Sequence, residues 1–328
     1  MNFDQLFGSF NDIRVAVVGD VMLDTYWWGH VERISPEAPV PVVALDNREL
    51  RIGGAGNVAL NLVALGANVD IFTVMGDDED GKMLDRLLAE AGIGTSHVVF
   101  SADRKTTNKT RIISRNQQMM RLDSETTRDL DHHAETQLLQ RISSYLKETK
   151  PAVLIFEDYN KGVLTENLIT EVISDCRKQG VLTAVDPKKK NFFSYKGVDI
   201  FKPNLKEVRE GLNIQLDHVT LDSMRSVHDQ LQDKLDHRIS FITLSEKGVF
   251  YQDNGQAAII PSHLRNIADV SGAGDTVIAV AALVFAATGK VELFSEIANI
   301  AGGLVCEEVG TAAIRKEVLL SECKMLLS

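Results

Sequence analysis

The segment ADVSGAGDT, residues 268–276, joins a turn of small residues to an apolar run that extends to residue 287. The apolar run predicts a buried helix, and it is too short to span a bilayer. Small residues in the turn leave the amino end of this helix open to an approaching ligand. A turn followed by a helix is also one unit of a pattern that repeats along the rest of the chain.

Strand and helix patterns alternate on the amino-terminal side of this segment. Buried strands are predicted at residues 13–18, 69–74, 153–156, 182–185, 200–201 and 241–244. Helices are predicted at residues 55–65, 81–91 and 165–179, and a glycine follows each of them. This alternation predicts a mainly parallel sheet with helices on both faces and right-handed crossovers.

Two segments interrupt the alternation. Residues 26–50 contain three prolines and alternating valines, and residues 106–123 alternate polar and apolar side chains. Both patterns predict strands outside the main sheet with one face in water. No repeat, linker or low-complexity run divides the chain, so residues 1–328 are predicted to form one domain with a small β lid.

Composition restricts the function. The chain has 328 residues, of which 44% are hydrophobic and 25% charged, and a formal net charge of −11. Such a chain is globular, and its negative charge argues against binding to nucleic acid or to an anionic membrane. Its three cysteines lie far apart and match no disulfide or metal pattern, which predicts a reducing, cytoplasmic location.

The glycine-rich turn predicts an anion site. The backbone N–H groups of Gly272, Ala273 and Gly274 would point outward at the amino end of the helix, where the helix dipole attracts an anion. Asp275 follows directly. Its carboxylate is either a helix cap or a general base that faces a hydroxyl group beside a bound phosphoryl group, and spacing alone leaves both interpretations open.

A second glycine cluster, RIGGAGN at residues 51–57, also precedes a helix. It is either a tight loop or a place where the backbone approaches a polyol that Asn57 binds. The first strand is followed by Asp20 and Asp24. Because the carboxyl ends of parallel strands line the ligand crevice, these two carboxylates are candidates for binding sugar hydroxyls, or they are ordinary loop acids.

Four motifs taken together resemble those of the ribokinase-like (PfkB) carbohydrate kinases. Residues 53–57, Gly-Gly-Ala-x-Asn, and residues 269–275, Asp-x-Ser-Gly-Ala-Gly-Asp, are similar to the two family signatures. NLKE at 204–207 resembles the Asn-x-x-Glu magnesium motif, and TLSEKG at 243–248 resembles the nucleotide-binding strand end. The resemblance covers residues 13–314. It implies an ATP-dependent carbohydrate kinase with a three-layer α/β/α sandwich.

The resemblance also implies a role for each matched residue. Asp275 would be the catalytic base, and the N–H groups of residues 272–274 would hold the transferring phosphate. ATP would contact Asn204, Thr243, Ser245, Gly248 and Asn299. The sugar would contact Asp20, Asp24, Gly54, Asn57 and Asp158. Mg²⁺ would be organised by Asn204 and Glu207, mostly through water, and K⁺ by Asp269 and Ser271.

Five shorter segments resemble a narrower group, the heptose-phosphate kinases: residues 33–42, 114–118, 158–162, 186–188 and 310–311. This resemblance implies phosphorylation of the anomeric C1 hydroxyl of D-glycero-β-D-manno-heptose 7-phosphate in ADP-heptose and lipopolysaccharide synthesis, by a homodimer formed through the lid. The sequence contains no His-x-Gly-His motif, so we expect no nucleotidyl-transfer site in this chain.

A phosphorylated sugar requires cations. Lys109, Arg111 and Arg115 follow one another at steps of two and four residues, so they are predicted to share one strand face. Lys161 follows a predicted strand end. These four residues are candidates for binding the substrate phosphate, although charged side chains also protect edge strands.

Other functions remain open at this point. A different sugar or sugar-phosphate kinase would carry the same motifs. A regulatory protein would bind the nucleotide without catalysis, although the presence of Asp275, Asn204 and Glu207 argues against that function. The first strand leads into GDVMLD, residues 19–24, rather than Gly-x-Gly-x-x-Gly, which argues against a dinucleotide oxidoreductase.

Overall fold

The computed structural model describes residues 2–115, 117–263 and 265–327, so Asn116 of the segment 114–118 lies outside the described residues. The strands, in chain order, are β1 (Arg14–Gly19), β2 (Val21–Ile34), β3 (Pro41–Gly54), β4 (Asn68–Phe72), β5 (Val74–Gly76), β6 (Val99–Ser101), β7 (Asn108–Ser114), β8 (Gln117–Ser124), β9 (Val153–Glu157), β10 (Leu182–Asp186), β11 (Ile200–Phe201), β12 (Ile239–Thr243), β13 (Val249–Asp253) and β14 (Gln256–Ile260). The helices are α1 (Phe3–Ser9), α2 (Ala55–Leu65), α3 (Glu79–Glu90), α4 (His132–Glu148), α5 (Glu166–Gln179), α6 (Leu205–Leu212), α7 (Leu221–Leu235), α8 (Ala273–Thr288), α9 (Val291–Val305) and α10 (Lys316–Leu326).

The central sheet has the strand order β14-β13-β12-β11-β10-β9-β1-β4 within the described residues. Neighbouring strands from β4 to β12 pair in parallel, which confirms the mainly parallel sheet. β13 and β14 add an antiparallel hairpin at one edge, which the alternation did not predict. The sequence signal for this hairpin is the Asn254-Gly255 turn between its two strands.

Helices cover both faces of the central sheet because alternate strand residues point to opposite faces. In β1, Val15 and Val17 belong to one buried core, and Ala16 and Val18 belong to the other. The first core includes side chains of α2, α8 and α9, and the second includes side chains of α4, α5 and α7. The three-layer α/β/α sandwich implied by the resemblance is confirmed, with α8 buried at the centre of one layer.

The lid is a second sheet with the order β3-β2-β7-β8. A single residue, Asp20, separates the end of β1 in the central sheet from the start of the lid strand β2. The observed lid strands run beyond the first predicted segment, residues 26–50, at both ends. β2 and β3 pair along residues 21–34 and 41–54. The two tryptophans of the chain, Trp27 and Trp28, both lie on β2.

Two further properties concern the whole fold. Cys176, Cys306 and Cys323 are buried free thiols. In the part of the chain that the structure describes, no helix is long and apolar enough to cross a membrane.

Candidate active site

The carboxyl ends of the parallel strands meet the amino end of α8. Glu157 ends β9, Asp186 ends β10, and Asp275 lies in the first turn of α8. Oxygen atoms of these three carboxyl groups lie within 4.8 Å of one another, and all three residues are buried. Because like charges at this distance repel strongly, the protonation of each acid depends on its neighbours.

Two side chains from different parts of the fold hold Asp275. Asn57 Nδ2 donates a hydrogen bond of 2.7 Å to Asp275 Oδ2, and the Tyr159 hydroxyl donates one of 2.7 Å to Oδ1. Burial raises the pKa of Asp275 to about 6, against the effect of these two donors. The carboxylate is therefore oriented, and its proton affinity suits a general base near neutral pH.

Asn57 reaches Asp275 because α2 and α8 approach closely. Gly272, which caps α8, has a φ of 78°, and a Cβ atom there would lie 2.7 Å from Asn57 Nδ2. Asn61 connects the same two helices, because its Nδ2 donates to Asn57 O at 2.8 Å and its Oδ1 accepts from Thr276 Oγ1 at 3.0 Å. A side chain at residue 272 would displace the Asn57 amide that holds Asp275.

Two lysines neutralise Asp186. Lys188 Nζ lies 2.9 Å from Asp186 Oδ1, and Lys202 Nζ lies 2.8 Å from Oδ2. Burial favours the neutral acid, but Lys188 and Lys202 outweigh it and lower the pKa of Asp186. Burial also opposes the charge on Lys188, yet Asp186 and Glu207 raise the pKa of its ammonium group. Asp186 and Lys188 are therefore stabilised in their charged forms.

Asn204 and Glu207 form the capping box of α6. Glu207 N donates to Asn204 Oδ1 at 2.9 Å, and Asn204 N donates to Glu207 Oε2 at 2.8 Å. The other carboxylate oxygen of Glu207, Oε1, lies 2.9 Å from Lys188 Nζ. The motif therefore starts a helix and also contributes a carboxylate to the group of charges at the strand ends.

A cavity of about 440 Å³ opens beside these groups. Its lining includes Tyr159, Asp186, Lys188, Lys202, Asn204, Thr243, Ser245, Gly272, Gly274 and Asp275. The first N–H groups of α8 lack intrahelical acceptors, although Ala273 N donates to Val270 O at 3.3 Å. A cavity that combines lysines with the amino end of a helix suits a polyphosphate.

The other residues expected to contact ATP have different surroundings. Thr243 ends β12 and Ser245 begins the turn that follows, and both line the cavity. Gly248 has a φ of 92°, and a Cβ atom there would lie 2.0 Å from a backbone oxygen of β14, so a tight turn requires this glycine. Asn299 Nδ2 donates to Pro261 O at 2.8 Å and connects α9 to the loop after β14.

Lysines of the lid and of the cavity lie over the Tyr159 ring. Lys109 Nζ lies 5.7 Å from the ring centroid, and Lys188 Nζ lies 5.6 Å from it. Lys161 Nζ pairs with Glu125 Oε2 at 2.7 Å, whereas Lys109 forms no salt bridge with any described residue. Burial and the nearby charge of Lys161 lower the pKa of Lys109, and together they outweigh the opposite effect of Asp24, Glu125 and Asp123.

Asp24 and Arg111 connect the lid strands β2 and β7. Arg111 Nη1 lies 2.6 Å from Asp24 Oδ1. The guanidinium groups of Arg111 and Arg51 lie 5.1 Å and 4.7 Å from the centroid of the Tyr26 ring. Arg51 Nη1 also donates to Val309 O at 3.0 Å, so the lid is bonded to the loop that follows α9.

The prediction that Arg115 shares a strand face with Lys109 and Arg111 is wrong. β7 ends at Ser114, and Arg115 is exposed with a φ of 48°. This left-handed conformation belongs to the turn between β7 and β8, where the two-residue alternation of a strand ends. Arg115 therefore lies at the end of the lid strand that is farther from Asp24.

Asp20 and Asp158 are buried beneath the loop that follows β9. Asp20 accepts three backbone hydrogen bonds, of 2.9, 3.0 and 3.0 Å, from N–H groups of residues 159–163. Asp158 accepts from Asn160 N and from the Tyr195 hydroxyl, each at 2.8 Å. Both carboxylates fix this loop, so their direct contact with a sugar stays a prediction.

Gly54 and the pair Asp269–Ser271 shape the two glycine-rich turns. Gly54 has a φ of 62°, and a Cβ atom there would lie 2.3 Å from the backbone oxygen of Asp20. Asp269 Oδ1 accepts from Ser271 N at 3.0 Å and from Ser271 Oγ at 2.9 Å, and Oδ2 accepts from Gly310 N at 2.9 Å. These bonds close the loop before α8, and the role of Asp269 and Ser271 in binding K⁺ stays a prediction.

Glu157 differs from its acidic neighbours. Neither of its carboxyl oxygens has a hydrogen-bond partner among the described residues. Burial, with the charges of Asp186 and Asp275, raises its pKa well above the usual range. The fold therefore favours the protonated form of Glu157.

Motif analysis did not assign a role in the site to Tyr159, Lys188, Lys202 or Glu157. Each ends or closely follows a predicted strand, and this position was a usable signal because strand ends line the crevice. The pairing of Lys202 with Asp186, or of Tyr159 with Asp275, depends on which strands are neighbours. That information is not local in the sequence.

Comparison with known proteins identifies the family. The family model described as pfkB family carbohydrate kinase matches residues 12–317. The chain is 38% identical over 319 residues to the bifunctional protein HldE of Syntrophotalea carbinolica, a match that covers 97% of this chain and 64% of that protein. It is 40% identical over 309 residues to the bifunctional protein HldE of Helicobacter hepaticus, covering 93% of this chain and 63% of that protein. The chain thus spans less than two thirds of the length of these relatives.

A solved structure with the same fold is phosphofructokinase-2 from Escherichia coli in complex with potassium. Its TM-score is 0.80 at 19% identity, covering 96% of this chain and 100% of that chain. At this identity the likeness concerns the fold. Because the family model matches nearly the whole chain and its signatures meet at one cavity, the chain belongs to the pfkB family of carbohydrate kinases and is an ATP-dependent sugar kinase.

Proposed function

We propose that this kinase phosphorylates the anomeric C1 hydroxyl of D-glycero-β-D-manno-heptose 7-phosphate and forms the 1,7-bisphosphate. The observation that carries this proposal is the hydrogen bond that the Tyr159 hydroxyl donates to Asp275. The ring of Tyr159 also lies near a cation of the cavity, Lys188, and a cation of the lid, Lys109. A substrate with a phosphate at one end and the reactive hydroxyl at the other fits this arrangement. We assign the activity to one domain, residues 1–328, in the cytoplasm.

The reaction follows from the positions of the groups around α8. The γ-phosphate of ATP would bind at the amino end of α8, where the helix dipole and the N–H groups of Gly272, Ala273 and Gly274 stabilise negative charge. Asp275 takes the proton of the C1 hydroxyl as the oxygen attacks the γ-phosphorus in line. The bond from this phosphorus to the bridging oxygen breaks, ADP leaves, and the proton stays on Asp275 until solvent removes it.

Mg²⁺ is the proposed metal, and the donor atoms fit it. Asn204 and Glu207 contribute amide and carboxylate oxygens beside the cavity, and Mg²⁺ prefers oxygen ligands while it keeps several waters. When bound, Mg²⁺ shields the negative charge of the triphosphate. Asp269 and Ser271 also offer oxygen atoms, which suit K⁺, and the similar E. coli structure is a complex with potassium.

The lid would bind the phosphate of the sugar. Arg111 already pairs with Asp24, and Lys161 pairs with Glu125, so Lys109 is the cation with most to gain from an incoming anion. Burial and repulsion by Lys161 lower the pKa of Lys109, and a phosphate between the two lysines would offset both effects. The similarity to the HldE proteins supports a heptose phosphate as the substrate and a place in ADP-heptose and lipopolysaccharide synthesis.

Product analysis tests this assignment. The purified chain is incubated with ATP and Mg²⁺ and with heptose 7-phosphate, mannose 6-phosphate, fructose 6-phosphate or ribose, and the products are followed by phosphorus NMR. We expect transfer to heptose 7-phosphate and its analogue mannose 6-phosphate, with a new phosphate signal coupled to H1. Preferential turnover of ribose, or transfer to a primary hydroxyl, would refute the heptose assignment and leave the family assignment intact.

We also propose a homodimer that forms through the lid. Ile34, Leu45, Met120 and Leu122 are exposed apolar side chains on lid strands, and β8 is exposed along its whole length. Exposed apolar patches of this kind are typical of interaction surfaces. Sedimentation should show a dimer for the wild type and a monomer for the double variant Met120→Lys, Leu122→Lys. A monomeric wild type would rule out this dimer.

A further inference from the structure

We propose that Tyr159 is a positioning residue for the base: its hydroxyl holds Asp275 for proton transfer, and its ring connects the sugar side of the site to the nucleotide side. The proposal deepens the proposed function, because it takes Asp275 as the base. It does not depend on which sugar is the substrate.

The contacts of Asp275 support the first half of the proposal. Tyr159 donates to Oδ1 and Asn57 donates to Oδ2, each at 2.7 Å, so the carboxylate cannot rotate without losing both bonds. A carboxylate oxygen has two lone pairs, so one hydrogen bond leaves room for an acceptor hydroxyl on the same atom. Tyr159 can therefore stay in place while Asp275 receives the proton.

The loop that carries Tyr159 is fixed on both sides. Asp20 Oδ2 accepts from Tyr159 N at 2.9 Å and from Lys161 N at 3.0 Å. Gly162 has a φ of 89°, and a Cβ atom there would lie 2.0 Å from the backbone oxygen of Arg128, which shows how tightly the loop packs. Tyr159 is thus held by the backbone of its own loop, and its hydroxyl arrives at Asp275 already oriented.

The ring of Tyr159 supports the second half of the proposal. Lys109 of the lid and Lys188 of the cavity both lie within 6 Å of the ring centroid, at 5.7 and 5.6 Å. A sugar phosphate that binds Lys109 and a nucleotide that binds Lys188 would both act on cations that this ring positions. We therefore expect loss of the ring to weaken the binding of both substrates.

The charged groups around Asp275 determine how much the Tyr159 hydroxyl contributes to the pKa of this carboxylate. The titratable groups that face it are Glu157 from β9, Asp186 from β10, Lys202 after β11 and Tyr159 from the loop. Burial has the largest effect and raises the pKa of Asp275, as Asp186 does, whereas the hydrogen bonds from Asn57 and Tyr159 and the charge of Lys202 lower it. Removal of the hydroxyl alone should therefore raise this pKa while the other groups stay in place.

Steady-state kinetics separate the two halves of the proposal. Tyr159→Phe keeps the ring, so we expect kcat to fall roughly 10-fold with both KM values nearly unchanged, and the acidic limb of the kcat profile to move up by about one pH unit. Tyr159→Leu should in addition raise both KM values about 3-fold or more, since the contacts of both lysines with the ring are lost. An unchanged kcat and pH limb in Tyr159→Phe would overturn the proposal.

Tyr145→Phe is the matched control. The Tyr145 hydroxyl also donates to a carboxylate, Asp70 Oδ2, at 2.8 Å, and its ring packs against Phe72. Because these residues lie outside the site, loss of this hydroxyl should leave kcat, both KM values and the pH profile unchanged. Equal effects in both variants would mean that loss of a buried Tyr–Asp bond acts through general destabilisation, and this result would also overturn the proposal.

Infrared titration gives a test that needs no sugar. The carboxylic-acid band that disappears in Asp275→Asn identifies Asp275 in the wild type. In Tyr159→Phe this band should persist to a pH about one unit higher, because the donor to the carboxylate is gone. An unchanged midpoint would overturn the role of Tyr159. If none of the sugars is phosphorylated, the proposed function fails, and this titration still decides the inference.

Discussion

The nucleotide side and the lid side of the site balance their charges in different ways. On the nucleotide side, Lys202 pairs with Asp186, and Lys188 pairs with both Asp186 and Glu207. On the lid side, Lys109 forms no salt bridge with the described residues and lies near a second cation, Lys161. A lysine that is paired within the fold contributes to stability as well as to the site, whereas a lysine without such a partner has its whole charge available to a ligand. The same residue type therefore serves two purposes within one site.

The largest expected effect is on the nucleotide side. Lys202→Met should lower the free energy of unfolding by about 3 kcal/mol, because Asp186 stays buried with Lys188 as its remaining cation. Urea unfolding measures this change. Lys206→Met is the matched control, since Lys206 is exposed and should contribute less than about 0.5 kcal/mol. Equally small effects would contradict a structural role for the paired charges.

The second prediction concerns the residue between the two sides. Asp275→Asn should lower kcat by about 10²-fold or more, because an amide does not accept the proton of the acceptor hydroxyl. Nucleotide affinity, measured by calorimetry, should be retained because the amide has almost the same shape. Near-normal turnover would show that Asp275 is a helix cap and not the general base.

The third prediction concerns the lid. Lys109→Met should raise the KM for the sugar phosphate by about 10- to 150-fold and leave the KM for ATP nearly unchanged, since it removes a charged partner of the phosphate. The free energy of unfolding should not decrease, because Lys109 forms no salt bridge with the described residues. Arg115→Met tests the structure against the sequence prediction that Arg115 shares a strand face with Lys109. Because Arg115 is an exposed turn residue, its substitution should change the KM for the sugar phosphate less than about 2-fold. Large effects of Arg115 alone would place the phosphate elsewhere on the lid.

The smallest expected effect is a change in the pH dependence of stability. Burial, with Asp186 and Asp275, raises the pKa of Glu157 well above 4.5, so the folded state binds this proton more tightly than the unfolded state. The corresponding stability is complete below about pH 4.5 and is lost as the pH rises towards the folded pKa. Glu157→Gln has no such proton, so its stability relative to the wild type should increase with pH. The free energies of unfolding of both proteins are measured with urea at about pH 5 and about pH 8. If their difference is the same at both pH values, Glu157 is not protonated in the fold.

Local patterns were sufficient for most of the fold. The helix predicted at residues 55–65 coincides with α2, because an apolar period and a terminal glycine define both ends. The six parallel strands of the central sheet were predicted from short apolar runs, whereas the antiparallel hairpin β13–β14 was not predicted. The alternation failed at Arg115, where a positive φ ends the strand, and such a turn is not visible in a two-residue period.

The site was only partly predictable because its pairings join distant segments. Asp275 and the anion turn could be found, since both lie in one motif. Asp20 and Asp158 follow strands, as ligand-binding acids do, but N–H groups of the loop 158–163 occupy them. The donors to these acids become known only once strand neighbours are known.

The position of Trp27 and Trp28 has a practical consequence. They are the two tryptophans of the chain, and both lie on the lid strand β2. Trp28 stacks on Tyr26 with ring centroids 6.2 Å apart, and the guanidinium of Arg111 lies over that tyrosine. Intrinsic tryptophan fluorescence therefore originates in the lid, and the central sheet contributes no such emission. Tryptophan emission is therefore a natural reporter of the lid that needs no added label.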